Sequence, residues 1–219
     1  MAAYPGALNE ENLTALEKGL PNLLQHVKNV TQVFGLPCVV AVNAFPTDTA
    51  AELRMVEDKC RRLGVRVALS EVWAKGGKGG KALAEEVVRL CQQPNSFRYC
   101  YDDETGIEEK LHAIATRIYH ADGVMLPTNA KKQLQQLSEL GFDRLPLCMA
   151  KTQYSFTDDA KQLGAPSGFQ ITVRNLKVCA GAGFLVALTG DIMTMPGLPK
   201  VPAAEKIDVD EHGKICGLY

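Results

Sequence analysis

Between residues 36 and 93 the chain alternates between two patterns, and this alternation most restricts what it can fold into. "LPCVVAVNAF" (36–45) is a short, β-branched run with little charge. "TDTAAELRMVEDKCRRLG" (47–64) follows, with Thr49 and Glu52 at capping-box spacing and Gly64 as a stop. "VRVALSEV" (65–72) is a second apolar run, and "KALAEEVVRLCQQ" (81–93) a second helical pattern ended by Pro94. Strand, helix, strand, helix at such short intervals predicts a parallel βαβ unit with its faces covered.

The flanking segments extend this reading. Leu13, Leu16, Leu20, Leu23, Leu24, Val27 and Val30 recur at helical spacing, so residues 8–34 form an amphipathic helix, with Pro21 as the place for a bend. "TGIEEKLHAIATRIYHADG" (105–123) repeats the pattern, with Thr105 and Glu108 spaced as a capping box. "VMLP" (124–127) and "PLCMA" (146–150) then bracket the helix "TNAKKQLQQLSELG" (128–141). Residues 151–168 are polar and turn-rich, a loop long enough to suggest function. Residues 169–190 read as strand or mixed buried structure. The tail, with Pro196, Pro199 and Pro202, reads as extended. The fold class is therefore α/β: a partial parallel sheet with flanking helices, then a smaller, loop-rich C-terminal α/β region.

A chain of 219 residues can bury a sizeable core, and 46% hydrophobic with 22% charged residues is ordinary globular composition. The net charge of -1 argues against a non-specific nucleic-acid or membrane-surface binder. No basic-then-apolar leader opens the chain, and "GAGFLVALTG" is too short to span a bilayer, so a cytoplasmic protein is expected. The seven cysteines, at 38, 60, 91, 100, 148, 179 and 216, show no C-x-x-C and read as small buried hydrophobes under reducing conditions.

"SEVWAKGGKGGKALAEE" (70–86) carries the only tryptophan and a basic glycine loop. It is not a phosphate loop: three residues rather than four separate Gly76 from Gly80, and Lys81 is followed by Ala82 instead of Ser or Thr. Gly77, Gly79 and Ala82 fit only the loosest dinucleotide pattern. A flexible turn is the plain alternative.

Position raises the interest of this stretch. Ligands of open α/β sheets collect beyond the carboxyl ends of the strands. The first strand ends in "NAFPTDT" and the second in "SEVWAKGG", so Phe45 and Trp73 both stand at that edge. Two facing rings would make a slot for a planar heterocycle. Asp48 and Glu71 lie beside them, and a carboxylate can accept the paired N–H groups of a 2-amino-pyrimidinone edge. Leu69, upstream on the second strand, joins them as a candidate lining residue, with Gly76 and Gly77 supporting the loop. Against this, Phe45 could cap the core, Asp48 its helix, and Glu71 could be solvated.

"VNAFPTDTAAEL", "SEVWAKGGKGG", "LPLCMAKTQYSF", "MPGLPKVPAAEKIDVDEHGKICGLY" and "GALNEENLTALEKGLPNLLQHV" together resemble the C-terminal part of formate–tetrahydrofolate ligase, in its bacterial monofunctional form. The resemblance implies an ATP-dependent ligase that joins formate to N10 of tetrahydrofolate through formyl phosphate. It also implies magnesium with the nucleotide, a monovalent cation and a homotetramer. The aromatics matching Phe45 and Trp73 would sandwich the pterin. Residues 1–36 would be the helical end of the nucleotide-binding domain, and 37–219 the folate-binding region. "KTQYSF" and "PGLP" would lie near the active site without individual roles. The family's glycine-rich phosphate loop has no match here. The catalytic residues are then expected in an N-terminal part, supplied on a second chain or absent, and turnover by these residues alone is not expected. A non-catalytic folate-binding or assembly module, or a nicotinamide-dependent oxidoreductase using the glycine loop, are the alternatives.

The other candidates carry less. His112 and His120 are expected on one helix, roughly on one face, without a carboxylate cluster, and no metal site is assigned. Ser70 and Ser155 lack a G-x-S-x-G elbow. Asp208, Asp210 and Glu211 lack EF-hand spacing and read as a solvated turn.

Overall fold

In a computed structural model, residues 9–190, 192 and 200–217 are described. Helix α1 (Leu13–Lys28) starts where the Asn12 side chain accepts the Ala15 N–H at 2.9 Å. It runs through Pro21 and passes into a π-helical turn, Asn29–Val33. β1 (Val39–Asn43) and β2 (Arg66–Ser70) pair in parallel across α2 (Ala50–Arg61), whose N-terminus carries the predicted Thr49–Glu52 capping box. Then come α3 (Val72–Lys75), the 3₁₀ turn Gly76–Gly80 and α4 (Lys81–Cys91). Val27 of α1, Val40 of β1, Cys60 of α2 and Val65 form the core of this half.

The second half holds α5 (Ile107–Arg117), β3 (Gly123–Met125), α6 (Thr128–Glu139), β4 (Leu147–Ala150), β5 (Gln170–Cys179) and β6 (Phe184–Thr189). The strand order is β3-β5-β6-β4, with β3–β5 and β4–β6 parallel and β5–β6 antiparallel. Ile107, Leu111 and Ile114 of α5 and Leu137 of α6 pack on Leu147, Val173, Leu176 and Leu185. Val33 and Phe34 reach this core from the end of the π-helical turn. A 3₁₀ turn, Ala203–Glu205, and the hairpin β7 (Asp208–Val209) and β8 (Ile215–Cys216) follow.

The α/β class is the predicted one, with parallel-rich sheets flanked by helices. Several details differ. β1 and β2 form a two-stranded sheet of their own, and Ala41, Asn43 and Leu69 are exposed, so its faces are not fully covered. The run 169–190 is a β5–β6 hairpin that turns through 180–183. The cap of α5 sits one residue later than expected: Glu109 accepts the Gly106 N–H at 2.9 Å, while the Thr105 hydroxyl donates to the Asp102 carbonyl. α5 ends at Arg117, and His120 lies beyond it at φ 58°, so His112 and His120 do not share a helix. Cys91, Cys148 and Cys216 are exposed rather than buried. The tail is not simply extended, since it contains the 3₁₀ turn and the hairpin; Pro196 and Pro199 of "PGLP" lie outside the described residues.

Candidate functional site

The ring pair lies where β1 and β2 end side by side. The last ladder partners are Asn43 and Ser70, and the Ala44 N–H still donates to the Ser70 carbonyl at 3.0 Å. Phe45 is then turned by a closed loop: its N–H donates to Asp48 Oδ2 at 2.8 Å, and the Asp48 N–H donates to the Phe45 carbonyl at 3.0 Å. Asp48 thus fixes the backbone that aims Phe45 and leaves the capping of α2 to Thr49.

Trp73 sits on the single turn α3, not on the strand end itself. The Ala74 and Lys75 N–H groups donate to the Glu71 carbonyl at 3.1 and 2.9 Å. Glu71 Oε1 accepts Lys75 Nζ at 2.7 Å on the same turn. The 3₁₀ turn Gly76–Gly80 leads back, and the Gly79 carbonyl accepts the Glu71 N–H at 3.0 Å. The basic glycine loop is therefore a second helical turn stacked on the first. It separates β2 from α4, whereas a dinucleotide fingerprint needs strand and helix joined by one tight turn.

Phe45 and Trp73 are brought together: their centroids are 6.1 Å apart and the planes are inclined at 48°. Both stay wet, at 48% and 66% exposure. A planar ring between two parallel faces needs about 7 Å, twice a carbon–carbon contact distance. To admit a heterocycle the rings would have to part and level. Asp48 and Glu71 each already accept an internal bond. An ionised carboxylate offers about four acceptor sites, so both can take further N–H donors. Leu69 is 43% exposed on β2, where it pairs with Val42 one step before the last ladder pair. Gly76 adopts φ 56°, which favours glycine, whereas a Cβ on Gly77 would meet nothing.

A second constellation lies on the loop that follows β4, where the sequence suggested function but assigned no individual roles. Lys151, directly after β4, donates from Nζ to the Thr152 carbonyl at 2.6 Å and to the Ser155 carbonyl, and lies 5.2 Å from the Tyr119 ring centroid. Burial holds its ammonium pKa below the usual lysine value. Phe156 packs on the His26 ring, with centroids 4.5 Å apart. Burial first, and the Lys151 charge second, push the His26 pKa down. The loop's buried residues Ser155, Phe156 and Thr157 are the anchor. A recess of about 860 Å³ lies beside it, with Lys151, Thr152, Asp158, Thr172 and Arg174 in its wall. In the sequence, the length and polarity of residues 151–168 and the resemblance carried by "KTQYSF" pointed to this loop, without individual roles. A recess of about 930 Å³ elsewhere, lined by Tyr99, Tyr101, His112 and Arg117, does not include the ring pair.

No helix among the described residues is long and apolar enough to cross a membrane. A family model described as formate–tetrahydrofolate ligase matches residues 2–219. The chain belongs to the formate–tetrahydrofolate ligase family.

Proposed function

We propose that this chain supplies the folate-binding part of a formate–tetrahydrofolate ligase, with the pterin held between Phe45 and Trp73. The observation that carries this is the adjacency of two exposed aromatic rings, 6.1 Å apart, at the carboxyl ends of two parallel strands. Membership of the family supplies the substrate class. In this reading Asp48 and Glu71 receive the N–H edge of the pterin, Leu69 contributes apolar contact, and Gly76 and Gly77 shape the loop. Stacking and apolar burial stabilise the bound ring.

The ligase reaction also needs a cradle of backbone amides and a lysine around the transferred phosphoryl group. The 219 residues contain no G-x-x-x-x-G-K-[ST]. The proposal therefore assigns ATP, its magnesium and the monovalent cation to polypeptide outside these residues, with binding but no turnover by this chain alone. Homo-oligomeric assembly, the C-terminal position within a bacterial-type enzyme, the division of the chain at residue 36 and a cytoplasmic setting belong to the same proposal.

The test uses the single tryptophan as its own probe: anaerobic titration with tetrahydrofolate, following Trp73 emission corrected for ligand absorbance. Saturable quenching is expected, with Phe45→Ala raising the Kd about tenfold or more. Absence of any saturable change in the native chain would overturn the proposal.

A further inference from the structure

The ring pair depends on a one-turn helix that could not hold its own shape in water, since so short a helix cannot recover the cost of its nucleation. Something must press α3 into place. Of the four glycines that follow Trp73, Gly79 alone lies against the backbone of that turn. A Cβ built on Gly79 would strike the Glu71 carbonyl group, with the carbonyl carbon at 2.5 Å and Val72 N at 2.9 Å. These are main-chain atoms, and they cannot rotate aside. The same glycine's carbonyl accepts the Glu71 N–H at 3.0 Å, and that peptide begins the turn bearing Trp73. Gly80 follows the same logic more softly, since its Cβ would lie 2.9 Å from Val72 Cγ2.

We propose that Gly79, backed by Gly80, is the positioning residue for Trp73: its bare Cα lets the 3₁₀ turn dock on the Glu71–Val72 peptide and fixes the ring opposite Phe45. The function of the loop is then steric seating of the aromatic ring rather than contact with phosphate. The effect on folate binding rests on the reading above; the effect on Trp73 does not.

The test compares Gly79→Ala with Gly19→Ala, where a Cβ meets nothing and which lies on α1 outside the site, in the full chain, reading Trp73 emission and acrylamide quenching without ligand, then the Kd for tetrahydrofolate. Gly79→Ala is expected to change the accessibility of Trp73 and to raise the Kd about tenfold or more, as misplacement of a binding group does. Gly19→Ala is expected to leave both near their native values. A folded Gly79→Ala protein with native Trp73 emission, quenching and Kd would overturn the proposal. A shifted emission in a chain whose native form binds no tetrahydrofolate would overturn the folate reading and uphold the positioning role. Should Gly79→Ala fail to fold, Gly80→Ala carries the test. An emission change that reverts in Val72→Ala/Gly80→Ala supports the seating, and no change in Gly80→Ala overturns it.

Discussion

Lys110 is fully buried on α5, and its Nζ donates to the carbonyl oxygen of Asp143 at 2.9 Å. A second bond, 3.2 Å to the Leu145 carbonyl, ties the same ammonium to the turn that leads into β4. The ring of Tyr101 lies 5.8 Å from the charge. A lysine spent on two main-chain carbonyls is a structural strut, and burial lowers its pKa.

Lys110→Met retains most of the stem but leaves two partly buried carbonyls without their lysine donor, at about 1–3 kcal/mol each. A loss of about 3 kcal/mol is expected in urea unfolding, while Trp73 emission in the folded protein stays native. A loss under about 0.5 kcal/mol would show that the strut is dispensable.

Gly35 adopts φ 68°, and a Cβ there would collide with the main chain of Ser96. The Ser96 and Arg98 N–H groups donate to the Gly35 and Phe34 carbonyls, each at 3.1 Å, so this contact clips the end of the N-terminal helical segment to residues 96–98. Gly35→Ala combines a left-handed backbone with a main-chain clash, and a destabilisation of about 2 kcal/mol or more follows. Denaturant unfolding of the variant measures it directly.

Acid should weaken the packing of α1 on the 151–168 loop. The folded pKa of His26 lies below its ordinary 6.5, so in that window the unfolded chain binds more protons. Stability is fully present above about pH 6.5 and declines as pH falls through that value towards the folded pKa. Urea midpoints at about pH 7.5 and 5.5 check this, and His26→Gln should flatten the difference. An unchanged slope in that variant would assign the acid sensitivity to other groups.

Thr49→Ala removes the side-chain oxygen that accepts the Glu52 N–H at 3.2 Å. The expected loss is about 1 kcal/mol. Because Glu52 Oε1 also accepts the Asn12 N–H at 3.0 Å, the start of α1 should become more protease-sensitive in the same variant. Limited proteolysis of native and variant chains reads that second effect.

The elements that local chemistry specifies were legible in the sequence. Thr49, Glu52 and Gly64 bracket α2 because capping and helix termination need particular groups at particular spacings. Phe45 and Trp73 could be brought together on paper because parallel neighbours end at the same edge. Where two readings satisfied the same local rule, the distinction was lost. Thr105 and Gly106 both suit an N-cap, with Glu108 and Glu109 both available, and the turn that ties the Thr105 hydroxyl and N–H to the Asp102 carbonyl leaves the cap to the later pair. The run 169–190 alternates from Gln170 to Val173, loses its period at Arg174–Asn175 where the register shifts, and is almost continuously apolar over 178–188, so the antiparallel β5–β6 pairing was not separated from a single buried element. The seating role of Gly79 was illegible for another reason: it depends on a backbone approach between positions 71 and 79 that only coordinates reveal.

The β5–β6 hairpin also orders events in time. Cys179 pairs with Phe184 across a short turn, whereas β4 must bring Leu147 to Leu185 and β3 must bring Gly123 to Gln170. Closing the short turn takes microseconds at about the rate of isolated hairpins, while the longer closures carry a larger entropic cost. The two middle strands of the sheet are thus expected to form a template before either outer strand arrives, with the parallel pairs written onto an antiparallel seed.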